Sequence, residues 1–281
     1  MKRISLFSLT VLFFALMGYS TPTWMDIGTY SVENGPACLT CNPPGDFTHL
    51  TDVPAVANSF YQAAVTNQPS GAPIPTHPIN LVGSNVTVTE ISNNSREYCD
   101  FIFVSSHGAC SRYNRGHCLW NDSKTDQQFW NSWNMHLGTS YNRWAYLYSC
   151  GVLTYTGFNK FFHDSTDPNW AQGWPQAFNG VQCILGFASE TWEWNPTATN
   201  LVNEFWTNWT GHSGVSYSIW LSHCYSTYDQ LYNGGNYDIS PAIITSRDAN
   251  GHYFWDDTYS QATSARAVSW ATGTTWVDYI H

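Results

Sequence analysis

The sequence predicts an α/β fold: a largely parallel β-sheet flanked by helices, followed by a β-rich C-terminal tail. Three short runs are almost entirely apolar, as expected of strands that are buried on both faces of a sheet. These runs are Phe101–Val104, Trp144–Tyr148 and Val181–Ala188. Segments with apolar residues at helical spacing alternate with the runs, and such alternation is typical of a parallel sheet covered by helices.

The elements before the first run are predicted to be an irregular arm, a helix and a strand. Residues 21–50 are rich in Pro, Gly, Thr and Asn with little periodicity, which indicates an irregular arm. Val53–Thr66 has apolar residues at helical spacing, with Asp52 as a candidate cap. The β-branched residues of Val86–Ile91 predict a strand.

The rest of the chain is predicted to add helices and a hairpin. The predicted helices are Gln127–Leu137, Thr197–Trp209 and Gly211–His223. In the tail, Asn250 and Gly251 predict a hairpin turn that joins Ile243–Ile244 to Tyr253–Trp255.

A single α/β domain is the simplest organisation, because no internal repeat, charge run or clear linker divides the chain. We expect a signal peptide over residues 1–20 and the irregular arm over 21–50. The α/β domain is expected over 51–236, with the β-rich tail over 237–281 packed on the same domain.

The N-terminus has the pattern of a secretory signal peptide. Lys2 and Arg3 precede the apolar run Ile4–Met17, and Gly18 and Ser20 are small residues at the positions that a signal peptidase reads. The run is shorter than the roughly 20 residues of a membrane-spanning helix. We therefore expect a secreted protein that has no membrane contact after the signal is removed.

The charge balance argues against polyanionic partners. The chain has 10 basic and 20 acidic residues, a net charge of −10. Removal of residues 1–20 takes away two basic residues and no acidic ones, which leaves 8 against 20 and a net charge of −12. Such a chain gains nothing electrostatically from nucleic acid or an anionic membrane, so neither partner is expected.

Eight cysteines in an exported chain indicate disulfides. Cys38 and Cys41 are close enough in sequence to form a small clasp, and Cys110 and Cys118 can close the loop after His107. A Cys-x-x-Cys sequence also occurs in redox and zinc sites, but zinc needs a second pair of ligands that the nearby sequence lacks. No metal or cofactor is therefore expected.

Two of the predicted strands run directly into residues with reactive side chains. His107 follows the first apolar run and Cys150 follows the second. Because the carboxyl ends of parallel strands meet at one edge of a sheet, a thiol and an imidazole are expected there together. An imidazole near a thiol increases the thiolate fraction and can protonate a leaving group.

A glycine follows each of these residues. Gly108 and Gly151 have no Cβ, so their backbones can approach a bound carbonyl group closely. Their N–H groups, or that of Cys150, are candidates to stabilise an oxyanion.

These two strand ends resemble the caspase-like cysteine peptidases, the clan of caspases, legumains, gingipains, separases and CHAT-type proteases. Its members share an apolar strand with His-Gly and a later apolar strand with a small residue and Cys. Phe101–Gly108 and Ala145–Cys150 match these two motifs, and 150 − 107 = 43 residues is a separation of the size that the clan uses.

The resemblance covers roughly Val53–Tyr228. It looks closer still to a secreted family of unknown function with His-Gly, Trp-x-x-x-x-x-Cys and Leu-Gly-Phe-Ala blocks. Trp144–Cys150 and Leu185–Ala188 match the last two blocks.

The resemblance implies a caspase-like sandwich, a peptide or protein substrate, and a role for each motif residue. Cys150 would be the nucleophile, His107 the general base or acid, and the Gly108 N–H part of the oxyanion hole. The turn after the third apolar run would lie beside the substrate pocket, with Ser189, Glu190 and Trp192 as the binding residues.

The residues themselves leave alternatives open. Cys150 is either a nucleophile or a structural cysteine in a disulfide or buried position, since eight cysteines can pair completely. A catalytic Cys150 leaves seven others, of which Cys183 and Cys99 are the candidates for buried thiols. The remaining histidines are interpreted as surface or satisfied core residues; they include His117, His163, His212, His223 and His252.

Two functions follow from these alternatives. The first is a secreted cysteine peptidase-like hydrolase that uses a His107/Cys150 dyad on peptide or amide bonds. The second is a catalytically inactive domain of the same fold that acts as an extracellular binding protein through its aromatic-rich surface.

Overall fold

The computed structural model describes the following residues: 25–32, 50–68, 79–97, 99–111, 114–120, 122–124, 127–131, 135, 137, 142–153, 181–189, 191, 195–212, 214–235, 239–246, 250–264 and 276–279. The predicted signal peptide, the Cys38–Cys41 clasp, Glu190 and Trp192 lie outside these residues. The predicted Cys110–Cys118 bridge also falls outside the description, which covers the backbone alone at these two positions.

The described part of the chain alternates between strands and helices. The strands are β1 (Ile27–Ser31), β2 (Ile79–Val82), β3 (Phe101–Ser105), β4 (Gly108–Ser111), β5 (Asn114–Trp120), β6 (Gln127–Asn131), β7 (Trp144–Tyr148), β8 (Cys183–Phe187), β9 (Pro241–Thr245) and β10 (Trp276–Tyr279). The α-helices are α1 (Val53–Asn67), α2 (Val88–Glu97), α3 (Thr197–Thr210), α4 (Ile219–Thr227) and α5 (Tyr259–Ser264).

Seven of the described strands form one largely parallel sheet, which confirms the predicted fold class. Their order is β10-β9-β8-β7-β3-β1-β2. The pairs from β2 to β8 are parallel, whereas β9 pairs antiparallel with both β8 and β10. The strands β4, β5 and β6 form a separate antiparallel sheet that begins directly after β3 and His107.

The central strands present different side chains on their two faces, because successive residues of a strand point in opposite directions. One face is dominated by aromatic side chains: Phe101, Phe103, Trp144, Tyr146, Tyr148 and Phe187. The other face is aliphatic: Ile102, Val104, Ala145, Leu147 and Ile184. Both sets are buried, which explains why these strands read as continuous apolar runs.

Helices α1 and α3 cover the aromatic face. Phe60 of α1 stacks on Phe103 with ring centroids 4.4 Å apart, and it contacts Trp206 of α3 edge-on at 5.3 Å. Each such fully buried ring stabilises the fold by about 2–3 kcal/mol through burial alone. The helices predicted at Val53–Thr66 and Thr197–Trp209 are therefore confirmed, with the bounds of α1 and α3.

Two predictions in the N-terminal half are wrong. The arm over 21–50 was predicted to be irregular, yet it contains β1, which lies inside the central sheet between β2 and β3. The predicted strand Val86–Ile91 is the start of α2. Thr87 caps that helix, since its hydroxyl accepts a hydrogen bond from the Glu90 N–H at 3.1 Å.

Three predictions in the C-terminal half need correction. The first part of the helix predicted over Gln127–Leu137 is instead the strand β6 (Gln127–Asn131), which pairs along its full length with β5. The helix predicted over Gly211–His223 is α4, which begins at Ile219, where the Ser218 hydroxyl accepts from the Leu221 N–H. Within the predicted hairpin arm Tyr253–Trp255, a 3-10 turn begins at Phe254. The strand β9 pairs instead with β8 and β10.

Candidate active site at the carboxyl ends of β3 and β7

His107 and Cys150 follow adjacent parallel strands at equivalent positions. Ser105 of β3 is paired with Tyr148 of β7. His107 lies two positions after Ser105, and Cys150 lies two positions after Tyr148. Neighbouring strands lie about 4.8 Å apart, so the two strand ends deliver their next residues to the same edge of the sheet. The structure therefore brings together the two motifs that the sequence places 43 residues apart (150 − 107).

Gly108 lies directly against the backbone of Cys150. A Cβ at Gly108 would lie 2.9 Å from both the backbone nitrogen and the carbonyl carbon of Cys150, and it would overlap the carbonyl oxygen. Only glycine allows so close an approach between the two segments. The His-Gly motif is thus in contact with the cysteine motif through its glycine.

The Cys150 sulfur is held by the main chain of Thr191. Cys150 carries a thiol and is partly exposed. The Thr191 N–H donates to Sγ at 3.4 Å, and the Sγ–H donates to the Thr191 carbonyl oxygen at 3.5 Å. Hydrogen bonds from a backbone N–H to sulfur stabilise the thiolate form, so this contact bears directly on the reactivity of the thiol.

Thr191 was not among the residues singled out from the sequence. The signal was present, because Thr191 lies inside the turn that follows the third apolar run. The predictions there named Ser189, Glu190 and Trp192 as substrate-binding residues, whereas Thr191 contacts Cys150 through its backbone, which has no residue-type signature.

Ser189 connects the turn to two other segments. Its carbonyl oxygen accepts from the Gly151 N–H at 2.7 Å, and its hydroxyl accepts from the Ser240 N–H at 2.7 Å. The first bond engages the Gly151 N–H, which the sequence offered as a candidate oxyanion donor. Ser189 therefore fixes the turn between Cys150 and the start of β9.

His107 is partly exposed at the start of the small antiparallel sheet. Its carbonyl oxygen accepts a hydrogen bond from the Ser106 hydroxyl at 3.1 Å. This bond and the β3 pairing hold the backbone that carries the imidazole, while partial exposure leaves the residue within reach of a bound molecule.

The other described cysteines are buried. Cys99 and Cys183 are buried thiols, as the sequence predicted, and Cys224 lies on the buried face of α4. Burial raises the pKa of the Cys99 and Cys183 thiols, so both stay protonated at neutral pH. Of the described thiols, that of Cys150 is the one that is partly exposed.

His223 is a satisfied core residue, as predicted. Its Nε2 lies 2.9 Å from the Gly186 carbonyl oxygen, and its Nδ1 lies 3.0 Å from the Tyr146 hydroxyl. A carbonyl oxygen only accepts, so Nε2 carries the proton and Nδ1 accepts from Tyr146. Burial lowers the pKa of His223 to about 4, which keeps the ring neutral at physiological pH.

The described residues offer neither a metal-ligand cluster nor a membrane-spanning helix. They contain no group of three or more His, Cys, Asp and Glu side chains placed to hold a metal ion. None of the described helices combines the length and the hydropathy needed to cross a membrane.

The fold and the site at the carboxyl ends of β3 and β7 define a class of protein. It is an α/β protein whose central, largely parallel sheet carries a histidine and a cysteine just beyond two adjacent strands. The chain belongs to the family DUF6345, described as a domain of unknown function, whose model matches residues 89–270. The matched region includes β3, β7 and β8 with the residues that follow them. No curated protein matches the sequence.

The structure is also similar to the crystal structure of the Arg-specific cysteine proteinase gingipain R. The two share 10% sequence identity, with a TM-score of 0.43. The similarity covers 84% of this chain and 46% of that chain, so this chain spans less than half the length of the proteinase.

Proposed function

We propose that the protein is a secreted cysteine peptidase-like hydrolase that cleaves peptide or amide bonds with a His107/Cys150 dyad. The observation that carries the proposal is the contact of Gly108 with the Cys150 backbone at the ends of two paired strands. It supports a site in which the imidazole of the preceding residue reaches the thiol.

In this proposal, His107 accepts the thiol proton and the Cys150 thiolate attacks the scissile carbonyl carbon. The C–N bond then breaks, His107 gives its proton to the leaving amine, and a thioester remains on Cys150. Water attacks the thioester, releases the acid and restores the thiol. No metal or cofactor takes part in these steps.

The oxyanion that forms at each attack needs N–H donors. The N–H groups of Gly108 and Cys150 are the proposed donors, because the Gly151 N–H is already bonded to Ser189. The turn with Ser189, Glu190 and Trp192 is proposed to hold the substrate residue next to the scissile bond. Ser189 in this turn is hydrogen-bonded to both Gly151 and Ser240, which favours a substrate pocket whose shape is set before binding.

The dyad predicts a defined pattern of thiol labelling. Iodoacetamide and a peptidyl acyloxymethylketone should both label the native protein at Cys150, and Cys150→Ala should abolish that labelling. His107→Ala should slow the acyloxymethylketone reaction at neutral pH by about 10²–10⁴-fold, because the general base is lost. Mass spectrometry of labelled peptides measures the rate and the site.

An exposed histidine supplies the matched control. His212 lies just after α3, so His212→Ala should label at the wild-type rate. Equal labelling of wild type and His107→Ala would exclude the dyad. Native protein in which Cys150 is bridged in a disulfide would instead favour the non-catalytic binding domain.

The Thr191 contact predicts a shift in the pH dependence of labelling. Thr191→Pro removes the N–H that donates to the Cys150 sulfur, so the thiolate loses a hydrogen bond worth about 1.5–3 kcal/mol for a charged acceptor. The pH of half-maximal iodoacetamide reaction should then rise by about one to two units.

Thr191→Val is the control for this substitution. It keeps the backbone N–H and removes a hydroxyl whose Oγ1 is buried and lacks a partner within the described residues. Its labelling midpoint should match wild type, and its stability should be unchanged or slightly higher. If the Thr191→Pro protein folds and keeps the wild-type labelling midpoint, the Thr191 N–H does not stabilise the Cys150 thiolate.

A further inference from the structure

An exposed aromatic ridge runs along α4 and the π-helical turn Tyr228–Tyr232 that continues it. The ridge consists of Leu221, Tyr225, Tyr228 and Tyr232, spaced four, three and four residues apart, so the side chains share one helix face. Tyr225 is 45% exposed and Tyr228 is 53% exposed. The opposite face of α4 is buried against the core, so the ridge points away from the sheet.

The concentration of apolar side chains on this face is not a general property of the surface. Among the described residues, six large hydrophobic side chains are exposed, and the four of the ridge plus Val215 are five of them. The sixth, Val82, lies on β2 at the far edge of the sheet. A contiguous patch of this kind marks an interaction site more often than scattered exposed residues do.

The ridge tyrosines are ordered by contacts with one another and with a neighbouring tyrosine. Tyr228 and Tyr232 stack with centroids 5.1 Å apart and planes 15° from parallel. Tyr225 is held edge-on by Tyr217 at 4.9 Å. Rings fixed before binding lose little conformational entropy on contact, which is why tyrosine is favoured in binding surfaces.

The charges around the ridge are acidic. Asp229 lies in the ridge turn, and Glu204 of α3 bonds to the neighbouring Gln230 at 2.7 Å. Burial raises the pKa of Glu204, the hydrogen bond from Gln230 lowers it, and the nearby Asp229 carboxyl raises it again, so the accessible negative charge is chiefly that of exposed Asp229. The sequence contains no Lys or Arg between Lys160 and Arg247, so no cation from this stretch neutralises the surface.

We propose that this ridge binds a basic segment of a partner protein, with Arg or Lys side chains over the tyrosine rings and against the exposed Asp229 carboxylate. Cations are attracted to the faces of aromatic rings, and the acidic surroundings strengthen that attraction. A second copy of the chain is a poor occupant, because a symmetric contact would place the acidic face against itself.

The proposal is independent of the chemistry at Cys150 and is tested by peptide binding. The probe is a fluorescein-labelled decapeptide of alternating Arg and Gly, measured by fluorescence anisotropy at low ionic strength. The triple variant Tyr225→Ser/Tyr228→Ser/Tyr232→Ser should weaken binding by about 10-fold or more, and Asp229→Asn by about 3-fold. Added salt should weaken wild-type binding.

Val82→Ser is the matched control, since Val82 is 37% exposed and Tyr232 is 38% exposed. It should bind the peptide as wild type does, and circular dichroism should show all variants folded. Unchanged affinity in the triple variant overturns the proposal, as does equal binding of an alternating Glu and Gly peptide. Binding of the neutral glucan cellohexaose that the triple variant loses, with peptide binding intact, would identify a sugar platform instead.

Discussion

Gly108→Ala is expected to destabilise the protein by about 2–3 kcal/mol and to abolish labelling of Cys150. The added methyl group would meet the Cys150 backbone, with 2.9 Å to its nitrogen and its carbonyl carbon. Backbone atoms cannot rotate away as a side chain can, so β3 and β7 must separate at their ends or the Cys150 segment must move. Forced insertions of this kind cost about 1–3 kcal/mol in packed interiors.

Urea unfolding gives the stability change, and labelling with the acyloxymethylketone reports the displacement of the thiol. The two readouts separate the structural claim from the catalytic one. If the native protein does not label at all, the loss of stability still tests the contact. A Gly108→Ala protein with wild-type stability would show that the two strand ends are not in contact.

Gly83→Ala is the control because its cost has a different origin. Gly83 has φ of +65°, and a Cβ there would have no heavy atom within 4 Å. Its substitution should cost about 1 kcal/mol from the left-handed backbone conformation alone. Labelling of Cys150 should remain at the wild-type rate, since Gly83 lies after β2 at the far edge of the sheet.

The central strands could be predicted from the sequence because burial on both faces leaves an unbroken apolar run. β3, β7 and β8 were found in this way, and the residues that follow them gave the candidate site. β1 occupies the same sheet but was missed, since Ile27–Ser31 contains Gly, Thr and Ser. Its Thr29 and Ser31 are buried, so polarity in the sequence concealed a buried strand.

The other errors arose from a helix-capping signal that was overlooked and from contacts between segments distant in the sequence. Val86–Ile91 has the composition of a strand, yet Thr87 and Glu90 are spaced as in a capping box, and the helix begins there. Gln127–Asn131 was predicted to be helical but pairs with β5, a tertiary contact that no local pattern reveals. The Thr191 contact belongs to the same class, because a backbone atom at the site depends on how the turn folds.

His223 is expected to make the stability of the protein fall in acid. Burial lowers its pKa to about 4, below the value near 6.5 of an unfolded chain, so the folded state favours the neutral ring. The resulting stability is fully present above about pH 6.5 and is lost as pH falls toward 4. The difference of about 2.5 pH units limits the loss to about 3 kcal/mol.

Removing the imidazole should change both the size and the pH dependence of stability. His223→Phe leaves the Gly186 carbonyl and the Tyr146 hydroxyl without their His223 partner, a loss of about 2–4 kcal/mol at pH 7. His223→Gln retains a donor and an acceptor and should lose less. Neither variant has a group that titrates at this position. In both, the part of the stability loss between pH 6.5 and 4 that is due to His223 should therefore disappear.

Urea unfolding at pH 7.5, 6.0 and 4.5 measures these slopes, with His212→Gln as the exposed control that should follow wild type. If the free energy of unfolding of His223→Gln falls with acid as steeply as that of wild type, the pH dependence belongs to other groups. Because Nε2–H donates to the Gly186 carbonyl on β8, protonation at Nδ1 would remove the acceptor of the Tyr146 hydroxyl on β7 and force that hydroxyl to turn and accept instead. The acid transition should therefore begin at the strands that precede Cys150 and Ser189, and labelling of Cys150 should change within the same pH interval.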